Sequence, residues 1–164
     1  MTRFSFTLRS LLAACGLGLL TLGSVAAEVP PGDAQPLSRI LEAVAKAHPG
    51  VIVSAEFDER RWEILSCEPD GRSCRELRVD PRSAKTLRDK PESNFDLRPP
   101  AAGKSAAQIA QAVEALQLGA ITELEFDDPV WEVEVHGRGV RAKLYLDPAS
   151  GEVLRCRGRG CPAR

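Results

Sequence analysis

The chain has 164 residues, 43% of them hydrophobic and 27% charged, with 22 basic against 23 acidic side chains. This fits a globular protein of one or two small domains. The near-neutral balance, with no concentrated basic face, argues against a nucleic-acid-binding protein.

Arg3 and Arg9 precede an apolar run from Leu11 to Leu22, followed by Gly23-Ser24-Val25-Ala26-Ala27. Basic, apolar and small residues in that order predict a secretory signal peptide over residues 1–27, cleaved after Ala27 or, as second choice, Ala26. The run is shorter than the roughly 20 apolar residues of a membrane span. Leu12-Ala13-Ala14-Cys15 resembles a bacterial lipobox, and a lipid on Cys15 would anchor the protein to a membrane. The apolar run continues past Cys15, which favours the soluble exported form, periplasmic or secreted. Removing residues 1–27 leaves 137 residues and a formal charge of −3 (20 basic against 23 acidic).

Residues 28–36 are a polar, proline-containing lead-in, after which Leu37, Ile40, Leu41 and Val44 recur at helical spacing and Pro49-Gly50 ends the helix. A strand follows, with Val51, Val53, Ala55 and Phe57 expected on one face. Next comes a hairpin in which Trp62 and Ile64 alternate with Glu63 and Leu65, then a short last strand near 85–87. Residues 88–104 are polar and proline-rich without periodicity and read as a linker.

The second half repeats the first. At an offset of 69, Ile40 matches Ile109, Val44 matches Val113, Gly50 matches Gly119, Phe57-Asp58 matches Phe126-Asp127 and Trp62-Glu63 matches Trp131-Glu132. Beyond the hairpin turn the offset is 67, with Asp80-Pro81 matching Asp147-Pro148. In this copy Ser105 and Gln108 have capping-box spacing, Ile109, Val113 and Leu116 form the apolar stripe, and Gly119 is placed to cap the helix. Ala120, Leu124 and Phe126 share a strand face, and the last strand falls near 152–155. The fold class is therefore α+β: two tandem repeats, 37–87 and 105–155, each one helix packed on a three- to four-stranded antiparallel sheet, with a tail at 156–164.

Cys67, Cys74, Cys156 and Cys161 follow the signal region, an even count that reads as two disulfides with three connectivities. Zinc is disfavoured, since six and four residues separate the neighbouring cysteines where structural zinc sites use tighter knuckles. Setting Cys67 opposite Cys74 places Trp62 against Val79, Ile64 against Leu77 and Glu63 against Arg78. Apolar then meets apolar and opposite charges meet. The equivalent register pairs Trp131 with Leu146, Val133 with Leu144, Glu134 with Lys143 and His136 with Arg141. Cys67–Cys74 follows, and Cys156–Cys161 by elimination.

The short helix, the Trp-led strand and the turn Asp147-Pro148-Ala149-Ser150-Gly151 resemble the PepSY domain family over roughly 37–87 and 105–155. In the first copy Ala84 stands where the turn expects glycine, a mild strain if φ is positive there. The resemblance implies an exported bacterial module, found also in metalloprotease propeptides, with peptidase inhibition or regulation as its proposed role. It brings no catalytic residues and no cofactor.

Residue by residue, bland roles dominate. His48 sits at a helix end, where it complements the dipole, and His136 is a solvated strand residue. Ser54, Ser66 and Ser73 have no base at a catalytic spacing, so no catalytic residue is assigned. Glu56, Asp58, Glu125, Asp127 and Asp128 are loop acids before each hairpin, with cation binding as the sharper alternative; no metal site is assigned. Trp62 and Trp131 share the parity of the core. The candidate binding face is the outward sheet face: Glu132, Glu134, His136, Arg141, Lys143 and Tyr145, with Glu63, Leu65, Glu76 and Arg78 in the first copy. The expected function is an exported non-enzymatic protein-binding module, a peptidase inhibitor or regulator whose partner is a protease or envelope protein. The alternative is a small-ligand or metal-sensing accessory of the cell envelope.

Overall fold

The computed structural model describes residues 28–69, 72–93, 98–127 and 129–162. The expected signal peptide, Cys15 and Asp128 lie outside the described residues. The chain runs α1 (Leu37–Ala47), β1 (Val51–Asp58), β2 (Arg61–Cys67), β3 (Cys74–Val79), β4 (Thr86–Glu92), α2 (Ala106–Glu114), β5 (Ala120–Asp127), β6 (Val130–Gly137), β7 (Val140–Leu146) and β8 (Val153–Arg159). All eight strands join one antiparallel sheet in the order β4-β3-β2-β1-β5-β6-β7-β8. The α+β class is as expected. The two halves meet edge to edge through β1 and β5, a joining the sequence leaves open, so the sheet is continuous.

The helices lie together on one face of this sheet. Leu37, Ile40, Leu41 and Val44 of α1 and Ile109, Ala110 and Val113 of α2 enter one core with Trp62, Ile64, Leu77, Phe126, Trp131, Val133 and Leu144. Both tryptophans are buried, each in an edge-to-face contact with the phenylalanine opposite: Phe57–Trp62 at 5.3 Å and Phe126–Trp131 at 5.5 Å. The helices are capped differently. Ser105 and Gln108 form the expected capping box on α2. Pro36 gives α1 no side-chain cap. Glu114, at the end of α2, fills that role by accepting from Ser38 N at 3.0 Å and Ser38 Oγ at 2.6 Å. One half thus satisfies the helix start of the other.

The hairpin registers are those expected: Trp62 opposite Val79, Glu63 opposite Arg78 and Cys67 opposite Cys74, with Trp131 opposite Leu146 and His136 opposite Arg141. Cys67–Cys74 and Cys156–Cys161 are bonded. In the turns after β3 and β7, Asp80 Oδ1 accepts from Arg82 N and Ser83 N, and Asp147 Oδ1 from Ala149 N and Ser150 N. Ala84 sits at φ 56° where Gly151 sits at 75°, the strained position expected.

Four expectations are corrected. A bulge between Ile52 and Ser54 breaks the parity of β1, so Ile52 enters the core while Val53 crosses to the outward face and packs on Cys67 and Cys74. A matching bulge between Ile121 and Glu123 places Ile121, not Ala120, in the core. The last strands reach Glu92 and Arg159, so 88–92 is sheet rather than linker and 156–159 is sheet rather than tail. Pro91 is tolerated because β4 is an edge. Finally, α2 stops at Glu114: Leu116 lies past its end at 37% exposed, and Gln117, not the expected Gly119, takes the left-handed conformation after the helix, with φ 55°.

The segments that precede the two helices dock alike. Pro30-Pro31 and Pro99-Pro100 stand 69 residues apart, and each arm docks on its own turn, Gln35 N donating to Pro81 O at 2.8 Å and Lys104 N to Pro148 O at 2.7 Å.

Candidate functional site

With both helices on one side, the other side of the sheet is free of them. The registers assemble a transverse ladder across it: Arg88, Arg78, Glu63, Glu56, Glu123, Glu134, Lys143 and Arg157, one from each strand. Cations occupy both flanks and glutamates the four central strands. A second row brings Glu125 opposite Glu132 and Ser54 opposite Glu125. Like charges directly opposite one another cost stability in a sheet, and part of that cost is relieved at the flanks. Arg78 Nη2 meets Glu63 at 2.7 Å, and Lys143 Nζ meets Glu132 at 2.9 Å and Glu134 at 3.2 Å. Burial works to lower the Lys143 pKa, but its two glutamates outweigh it and hold the ammonium above the usual lysine range. Glu123 is pushed up, first by burial and then by Glu134; Glu125 is pushed up by burial and then by Asp127.

The structure gathers the six residues of the expected binding face onto two neighbouring strands, in varied states. Glu132, Glu134 and Lys143 are joined by the ion pairs just described. Arg141 is exposed, and His136 is half-buried, its Nε2 without a hydrogen-bond partner among the described residues. Tyr145 is only 8% exposed, because the Arg155 guanidinium lies 3.8 Å above its ring centre. The sequence places Arg155 at the end of the last strand and 156–164 in the tail, so it does not set Arg155, Arg157 and Arg159 on one face. The signal was there: Arg155, Arg157 and Arg159 alternate at the strand period. In the first half Glu63, Glu76 and Arg78 are linked as a charge cluster, and Leu65 flanks a small apolar patch built on Val53 and the Cys67–Cys74 bridge.

The other candidates lie apart. His48 caps the end of α1 and contacts β4, its Nε2 3.1 Å from Thr86 Oγ1 and its Nδ1 3.8 Å from Asp89 Oδ2. Asp89 in turn accepts from Arg75 Nε at 2.6 Å, so the group ties the helix end to the sheet edge. Ser66 is buried and Ser54 and Ser73 are not. Among the described residues, no three His, Cys, Asp or Glu side chains are placed to hold a metal ion. Two shallow grooves of about 260 and 340 Å³ lie where each arm meets the helices, one beside Pro99-Pro100 and one beside Pro30-Pro31.

A single antiparallel sheet with helices on one side and a charged face on the other defines an α+β module that presents a surface. Residues 104–157, which span α2 and β5 to Arg157, match the family model described as PepSY, "Peptidase propeptide and YPEB domain". Among solved structures, the chain is similar to a crystal structure described as a "putative lipoprotein" from Clostridium difficile 630, at 16% identity and a TM-score of 0.42, covering 73% of this chain and 89% of that one. The comparison with curated proteins gave no match.

Proposed function

We propose that the chain is an exported, non-enzymatic protein-binding module that regulates a peptidase, engaging its partner through the helix-free face of the sheet. The observation that carries this reading is the in-register glutamate cluster of Glu56, Glu123, Glu125, Glu132 and Glu134, with one lysine among them. A fold under selection for stability alone would not oppose glutamates across three neighbouring strands. The family description, with its peptidase propeptides, supports the peptidase side of the reading. Two disulfides on short loops support an oxidising compartment, periplasmic or extracellular. The same reading takes the two halves as tandem copies of one unit, supported by the constant offset and by the shared order of a helix and four strands.

The test is titration of the protein, purified from the envelope fraction of its host, against peptidases of that envelope with a labelled protein substrate. Inhibition that grows with dose and weakens in Glu123→Lys/Glu125→Lys supports the reading. Unchanged hydrolysis together with no crosslinked peptidase contradicts it.

A further inference from the structure

We propose that β8 is a docking edge for an extended acidic segment of another protein, which adds to the sheet as a ninth strand. The proposal rests on the protein-binding reading above but names a different surface and a specific chemistry. β8 ends the sheet, and six of its seven residues are exposed. Its outer backbone groups therefore have no strand beside them, which is the template for strand addition.

The two sheet edges are unlike. β4 carries Pro91, which has no amide to donate, and its Lys90 is already paired with Glu76 at 2.8 Å. β8 has no proline and places Arg155, Arg157 and Arg159 on the outward face at every second position. Behind them stand Tyr145, Lys143 and Arg141. Lys143 is committed to its two glutamates, whereas Arg141 and the three β8 arginines make no ion pair among the described residues. Two of the guanidinium groups are held in place, Arg155 over the Tyr145 ring and Arg159 by donating from Nε to Gly139 O at 3.1 Å. Pre-placed guanidinium groups lose less freedom when a carboxylate arrives.

Residues two apart along a strand are about 6.6 Å apart, so a partner with carboxylates at alternate positions meets these arginines in step. A second copy of the chain is a poor occupant. Its β8 would oppose arginine to arginine, and its β4 would bring Arg88, Lys90 and Pro91.

The experiment measures binding of a fluorescent peptide of alternating glutamate and valine to the full protein by anisotropy. Three comparisons are made: a lysine-for-glutamate peptide, a glutamate peptide N-methylated at alternate residues, and the variant Arg155→Gln/Arg157→Gln/Arg159→Gln with its melting temperature checked. Each comparison is expected to weaken binding by about tenfold or more, and β8 amides become protected from hydrogen exchange when peptide is present. Binding that survives N-methylation would show charge attraction without strand addition and overturn the proposal. So would equal binding by the triple variant, or binding to phosphatidylglycerol vesicles with none to the peptide. Loss of peptide binding with peptidase inhibition intact removes this edge alone; the converse removes the peptidase reading alone.

Discussion

Replacing Glu123 with glutamine is expected to stabilise the protein. Glu123 faces Glu56 across the β1–β5 seam and Glu134 across β5–β6. Like charges directly opposite in a sheet cost about 0.2–1 kcal/mol each. Lys143 offsets much of the Glu134 charge, so the two contacts together leave a penalty of about 0.5–1 kcal/mol at neutral pH and low salt. Glutamine keeps the shape and removes the charge, and the melting temperature should rise by about 2–4 °C for a chain of this size. Burial, then Glu134, raises the Glu123 pKa in the fold, so the penalty is full above that raised value. It fades as the pH falls through the folded pKa and is gone below the unfolded value of about 4.3. Melts of both proteins across pH should therefore converge in acid, and high salt should narrow the gap at neutral pH. A variant less stable than wild type at neutral pH, or a gap indifferent to pH, would show that Glu123 makes a favourable contact and that the like-charge account is wrong.

Removing the cap between the halves, by Glu114→Ala or Ser38→Ala, should each cost about 1–2 kcal/mol. In chemical denaturation the double variant should lose less than the sum of the two. Ala84→Gly should gain about 0.5–1 kcal/mol, since glycine takes the left-handed position at φ 56° without penalty. Cys67→Ser/Cys74→Ser should cost about 2–3 kcal/mol, read as a lower denaturation midpoint with the β2–β3 amides losing hydrogen-exchange protection first.

The hairpins were legible because two signals agreed in each: alternation of apolar and charged residues, and a turn of defined chemistry. In the first hairpin Cys67 and Cys74 added a third. The seam between β1 and β5 was not legible. It sets Glu56 against Glu123, a pairing that charge complementarity would reject, and it links strands 69 residues apart. The bulges at Val53 and Thr122 hid for a related reason. Both runs are apolar or β-branched through the break, so parity alone cannot place the extra residue. The edge strands β4 and β8 lack apolar alternation, because an edge facing solvent has no need of it. The shared face of Arg155, Arg157 and Arg159 therefore went unread, and Tyr145 looked more open than it is. The capping of Ser38 by Glu114, across 76 residues, needs the two helices side by side before it can be seen.

The glutamate ladder across the helix-free face depends on the two halves forming one sheet. Nuclear Overhauser contacts between backbone protons of Ala55 and Leu124 and of Glu56 and Glu123, together with slow amide exchange in β1 and β5, are the result the continuous sheet predicts. Absence of those contacts, with β1 and β5 exchanging as fast as β4 and β8, would mean two separate sheets and would contradict it.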